Sequence, residues 1–159
     1  MTSISPYVAE SLARVWAALH ADLRPRLSAA DTAYLQRVLL DTDDDLVAHL
    51  LAEKLAQASR APADAPVVDA VHIGSRVRFA IDGQEAVAVL VHGRAESPGF
   101  IGAASRYGAA LVGLLPGQAI LWPHHDHRLV EVRVLVVSPY DRTDKAATPL
   151  QARLTCASG

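Results

Sequence analysis

The stretch Phe100-Ile-Gly-Ala-Ala-Ser105-Arg-Tyr-Gly-Ala-Ala110-Leu-Val-Gly-Leu-Leu115-Pro-Gly-Gln118 decides the fold. It reads as a short strand, a capped helix of about two turns, a Pro-Gly turn and the start of another strand. Ser105 stands where a helix N-cap belongs, ahead of Tyr107, Ala109, Ala110, Leu111 and Val112. Ala110, Leu111 and Leu114 share one side of that helix. Gly113 supplies the stop, and Pro116-Gly117 the turn. Small residues dominate, so the helix can lie close against a sheet. Gly99, Gly102 and Gly108 are explained by turn and packing needs.

On the C-terminal side, Leu115 to Trp122 is expected as a strand and Pro123-His-His-Asp-His127 as a polar turn. Val130, Val132, Val134 and Val136 alternate with Glu131 and Arg133, which predicts a last strand with the four valines on one face. On the N-terminal side, Val77, Phe79 and Ile81 alternate with Arg76, Arg78 and Ala80. Asp82-Gly83 is a hairpin turn signal, and Ala86 to Val91 makes the next strand. Arg76 and Arg78 form a basic strand face. Ala61-Pro-Ala-Asp-Ala-Pro66 is a linker by composition, and ahead of it the period changes to that of helices.

Three helices are expected there. Val8, Leu12, Val15, Leu19 and Leu23 recur at spacings of three and four, with Ser5-Pro6 opening the helix and Pro25 ending it. Ser28-Ala-Ala-Asp31 resembles a capping box, and a second helix runs from about Ala29 to Leu40. After Asp41-Thr-Asp-Asp-Asp45 a third spans about Asp44 to Ser59. The last two, joined by a short polar loop, predict an antiparallel helical hairpin. The expected organisation is a helical region over 1–60, a linker over 61–67, a second domain over 68–141 and a loose tail over 142–159.

The central stretch resembles the signature of the C-terminal domain of bacterial Gre-type transcription factors. Gly74-Ser75-Arg76-Val77-Arg78-Phe79, Gly108, Ala110-Leu111, Gly113-Leu114 and Gly117 agree with it. The order of elements is similar to that family over about residues 29–140, and closest to its short member, the regulator of nucleoside diphosphate kinase (Rnk). Arg106 stands where the family has proline, and Gln118 where it has an acidic residue. The first 27 residues have no clear counterpart in the short member; their helix packs on the hairpin or mediates self-association.

The resemblance implies an α+β fold: N-terminal helices with a short antiparallel hairpin, then an FKBP-like antiparallel sheet with one short helix. It implies a cytoplasmic, non-enzymatic protein without cofactors that binds bacterial RNA polymerase near its secondary channel and does not stimulate transcript cleavage. A link to nucleoside diphosphate kinase would be indirect. Ser105, Arg106, Tyr107 and Gly108 are the expected docking residues, at an exposed corner. The alternatives are a transcript-cleavage factor and a peptidyl-prolyl isomerase, the latter needing a cleft lined from among Phe79, Phe100, Tyr107, Trp122 and Tyr140.

Asp41, Asp43, Asp44 and Asp45 form the acidic hairpin tip. In long Gre factors, the resemblance implies, two acidic tip residues help hold a catalytic metal, and Mg²⁺ does favour hard carboxylate oxygens. A helix of about 16 residues reaches only about 24 Å, and Pro25 bars a longer arm, so these residues read as an N-cap and a solvated loop. Leu46 and Ala52 occupy positions where an EF-hand needs Gly and Glu. His124, His125 and His127 invite a metal hypothesis, His125 and His127 sharing a face if extended, but a polar hairpin loop is the expected reading. His20 and His49 are expected as ordinary surface or boundary residues, and Trp16 and Trp122 as packing.

The chain has 159 residues, about half of them hydrophobic, so it can bury a core. Fifteen basic and 17 acidic residues give a net charge of -2, which argues against nucleic-acid or membrane binding through a general field. One cysteine, Cys156, excludes an internal disulfide and fits a reducing compartment. No signal segment or membrane span is expected. No nucleophile elbow, Walker loop or dinucleotide glycine fingerprint is present.

Overall fold

The computed structural model describes residues 5–58 and 69–139. The expected linker over 61–67, the tail over 142–159, Tyr140 and Cys156 lie outside the described residues. Three helices come first: α1 (Pro6–Leu19), α2 (Ala29–Asp41) and α3 (Asp45–Ala58). The second part holds β1 (Ser75–Ile81), β2 (Gln84–Val91), β3 (Glu96–Ser97), β4 (Phe100–Gly102), α4 (Arg106–Leu111), β5 (Ala119–Pro123) and β6 (Leu129–Pro139). No helix among the described residues is long and apolar enough to cross a membrane.

The strands form one sheet in the order β3-β4-β2-β1-β6-β5. The α+β reading holds, but the sheet is mixed rather than antiparallel, because β2 and β4 run parallel. The chain leaves β2, returns along the outer edge as β3, and reverses at Pro98-Gly99, where Gly99 has φ +86°. That reversal slips β4 between β3 and β2. Asp82 and Gly83 both have positive φ, as a tight two-residue hairpin demands, and they join β1 to β2 with Ile81 opposite Gln84.

The core lies between the sheet and the helices. Val77, Phe79, Leu90, Ile101, Val132 and Val134 supply the sheet side; Trp16, Leu35, Leu46, Leu50 and Leu51 supply the helical side, and Leu111 comes from α4. One expected alternation fails. The β1–β6 register slips between Arg78 and Phe79: Phe79 faces Val134 and Arg78 faces Val136, leaving Leu135 as an extra residue. This bulge flips the faces. Val137 therefore packs inward beside Val77, and Val136 turns out to solvent at 52 % exposure.

A second correction concerns α1. Val8, Val15 and Leu19, expected to face the core, are 48, 57 and 64 % exposed. The buried face is Ala9, Ala13, Trp16 and His20, also at helical spacing. Small alanines let the helix approach α3 closely, and Trp16 fills the gap to the sheet. His20 is accordingly a buried, bonded residue rather than an ordinary surface or boundary one.

Candidate functional site

The helix α4 opens as its sequence predicts. Ser105 Oγ accepts from the Gly108 N–H at 3.1 Å and donates to the Gly102 carbonyl at 2.6 Å. Gly102 and Gly108 exist for close approach. A Cβ on Gly108 would collide with the Gly102 carbonyl, and one on Gly102 with the Gly93 carbonyl. The loop 93–95, β4 and the first turn of α4 are therefore stacked backbone on backbone.

The expected exposed corner is not exposed. Ser105 and Gly108 are buried, and Arg106 and Tyr107 are half-buried. The cause is the hairpin, which folds back on α4. Asp44 Oδ1 caps α3 by accepting from Leu46 and Val47 N–H groups at 3.0 and 3.1 Å. Its Oδ2 meets Arg106 Nη2 at 3.0 Å. Arg106 also donates to the Pro123 carbonyl at 3.1 Å. Burial works to raise the Asp44 carboxyl, but the Val47 N–H and the Arg106 guanidinium outweigh it and hold it below the usual carboxylate range. Asp41, Asp43 and Asp45 face solvent. The tip and the corner, separate in the sequence, form one site around a 410 Å³ crevice lined by Asp43, Asp44, Arg94, Glu96, Ser105 and Arg106.

The far end of α4 is held by a residue the sequence reading passed over. Lys54 of α3 is fully buried and donates to the Ala109 and Ala110 carbonyls at 2.8 and 2.7 Å. Those carbonyls end the helix and have no partner within it. Burial pulls the Lys54 amine down to about 7. A signal was available: Lys54 falls on the apolar face set by Val47, Leu50 and Leu51. Tyr34 of α2 adds a third tether, its hydroxyl accepting from the Gly93 N–H at 2.6 Å.

Tyr107 bonds through its hydroxyl to His124 Nδ1, and His124 packs against His125 with centroids 3.7 Å apart. The histidine segment is a turn, with His127 N–H donating to the His124 carbonyl at 2.9 Å and His127 at φ +67°. His125 and His127 are therefore not on a shared extended face. Among the described residues no group of three His, Cys, Asp or Glu side chains is arranged to hold a metal. Trp122 packs in the core and donates to the Arg106 carbonyl at 2.8 Å. Arg78 crosses from β1 to Glu85 on β2 at 2.8 Å. Beside Tyr107, an apolar groove of 430 Å³ is lined by Phe79, Ile81, Pro98, Phe100 and Ile101.

No protein-family model and no curated protein matches the sequence. Solved structures do. A prokaryotic transcription elongation factor GreA/GreB from Nitrosomonas europaea is 26 % identical with a TM-score of 0.51, covering 73 % of this chain and 98 % of its own. GreA factor homolog 1 of Thermus thermophilus is 18 % identical with a TM-score of 0.35, over 84 % of this chain and 94 % of that one. The first of these carries the comparison: the chain shares the fold of Gre-type factors.

Proposed function

We propose that this chain is a regulator that binds bacterial RNA polymerase near its secondary channel, as a Gre-type factor does, without stimulating transcript cleavage. The observation that carries the second half is the state of the acidic tip. The α3 helix has 14 residues, a reach of about 21 Å at 1.5 Å per residue. Asp44 is committed to capping α3 and to Arg106. Such a tip is short, and one of its carboxylates is already neutralised by a guanidinium, so it is poorly suited to delivering a metal to another protein's active site.

Docking is assigned to the corner around Arg106 and Tyr107, built by Ser105 and Gly108. Any link to nucleoside diphosphate kinase then runs indirectly, through transcription. The test is co-purification of the tagged chain with bacterial core polymerase, followed by a cleavage assay on a backtracked elongation complex. Binding without cleavage is the expected result. Cleavage that disappears in Asp41→Ala or Asp44→Ala would overturn the non-cleaving reading, and failure to bind would remove the regulator reading.

The aromatic groove gives a second reading some support. Phe79, Phe100 and Tyr107 meet there, the kind of lining a peptidyl-prolyl isomerase needs. Fold likeness alone does not establish that activity. A peptide isomerisation assay separates the two, and the polymerase reading expects no turnover.

A further inference from the structure

The strand β5 is an outer strand of the sheet, and β6 pairs with it on one side only. An open sheet edge is a template for pairing with another chain. At Leu121 the edge is closed by side chains instead of a strand. The Trp16 indole N–H donates to the Leu121 carbonyl at 2.6 Å, and the Leu121 N–H donates to His20 Nε2 at 3.1 Å. One donor and one acceptor on the same residue reproduce what an antiparallel neighbour would offer. The two rings stack with centroids 4.3 Å apart, and Trp16 meets Trp122 edge-on at 6.4 Å.

The hydrogen bonds select one form of His20. A ring that accepts at Nε2 is neutral there and carries its proton on Nδ1. Nδ1 lies 2.8 Å from the Trp16 carbonyl, where that proton is accepted. We propose that His20 is a proton-controlled clasp: protonation of Nε2 turns the acceptor into a second N–H facing the Leu121 N–H, and α1 lifts from the β5 edge.

The surroundings favour the neutral ring. Burial pushes His20 below the usual imidazole range, against a smaller opposing pull from the Trp16 carbonyl. Most charged groups on neighbouring elements are engaged elsewhere. Glu10 and Arg14 pair on the outer side of α1. Arg24 donates to the Ala21 and Leu23 carbonyls. On α3, His49 bonds the Asp45 carbonyl and Lys54 bonds α4. Arg106 pairs with Asp44, and Glu131 with Arg133. Asp22 in the following turn is exposed, and Glu53 on α3 is half-buried. Among the described residues, no hydrogen bond or ion pair joins any of these side chains to the His20 ring. The sign follows. A released ring titrates near 6.5, while the seated ring resists the proton, so seating is complete above that pH and weakens as pH falls through it.

Hydrogen exchange of the full chain tests this at about pH 7.5 and about pH 5, corrected for intrinsic rates. Protection of the Leu121 and α1 amides should fall by about tenfold or more at the lower pH, while β1–β2 amides keep theirs. In His20→Gln, whose carboxamide oxygen accepts at either pH, the fall should disappear. Equal protection at both pH values in the unaltered chain, or an undiminished fall in His20→Gln, would overturn the proposal. Nitrogen NMR of the His20 ring in the unaltered chain is independent of any variant's folding. It should show Nε2 unprotonated at neutral pH and titrating together with Leu121 protection; a proton on Nε2 at neutral pH would sink the idea.

Discussion

Asp44 Oδ2 stands 3.0 Å from Arg106 Nη2, across 62 positions of sequence, and so joins the hairpin tip to the opening turn of α4. Both side chains are mostly buried, which shields the pair from water more than a surface ion pair. A double-mutant cycle of Asp44→Asn and Arg106→Met should return a coupling of about 1 kcal/mol. Asparagine keeps the oxygen that caps α3, so the cycle isolates the charge. Because Asp44 is held below its ordinary range, the contribution is present above about pH 4 and is lost as pH falls through the folded value. Zero coupling in denaturant melts near neutral pH would contradict the arrangement.

The two glycines under α4 make a sharper case. Gly108→Ala forces a methyl against the Gly102 carbonyl, which is backbone and cannot swing aside. The loss should be at least about 2 kcal/mol, in the upper range for overpacking. Gly117 has φ +87° with open space around its Cβ direction, so Gly117→Asn should cost no more than about 1 kcal/mol. Similar losses in both would mean that conformational strain, not the close approach, decides.

Lys54 predicts an unusual pH trend. Its amine sits near 7 in the fold and at 10.5 when free. Between those values the unfolded chain binds the extra proton, so this residue makes stability rise with pH from about 7 to about 10. A neutral amine has two N–H groups, which match the Ala109 and Ala110 carbonyls. Lys54→Met should flatten the rise. An unchanged slope between wild type and variant in melts across that range would show that the amine is not neutral in the fold.

The proposed docking through Tyr107 has a functional test. Tyr107→Ala should weaken capture of core polymerase while the fold survives at a cost of about 1–3 kcal/mol, from the lost His124 bond and the half-buried ring. Unchanged capture by the folded variant would remove Tyr107 from the docking surface.

Local chemistry was legible in the sequence, and coupling across the chain was not. Ser105 and Ser28 announce their caps, Asp82-Gly83 its turn, and Gly102 and Gly108 their close packing, because each acts on neighbours a few positions away. The site was half legible: the acidic tip and the α4 corner were each visible, but their contact through Asp44 and Arg106 depends on how the hairpin folds back. On α1 two candidate stripes compete at the same period. Branched residues favoured Val8, Val15 and Leu19, yet close packing against α3 selected Ala9 and Ala13. His20 and Lys54 looked ordinary because their partners lie 101 and 55 positions away.

The bulge at Leu135 gives the clearest contest between pattern and structure. Strict alternation puts Val134 and Val136 on the same buried face. The register slip keeps Val134 inside, opposite Phe79, and sends Val136 to solvent opposite Arg78. Val134→Ser should then cost about 2 kcal/mol or more, from lost burial and an added hydroxyl in the core. Val136→Ser should stay within about 0.5 kcal/mol of wild type. Urea melts of the two variants decide between them. Equal large losses would restore the unbroken strand, and with it the reading in which Leu135, not Val136, faces the solvent.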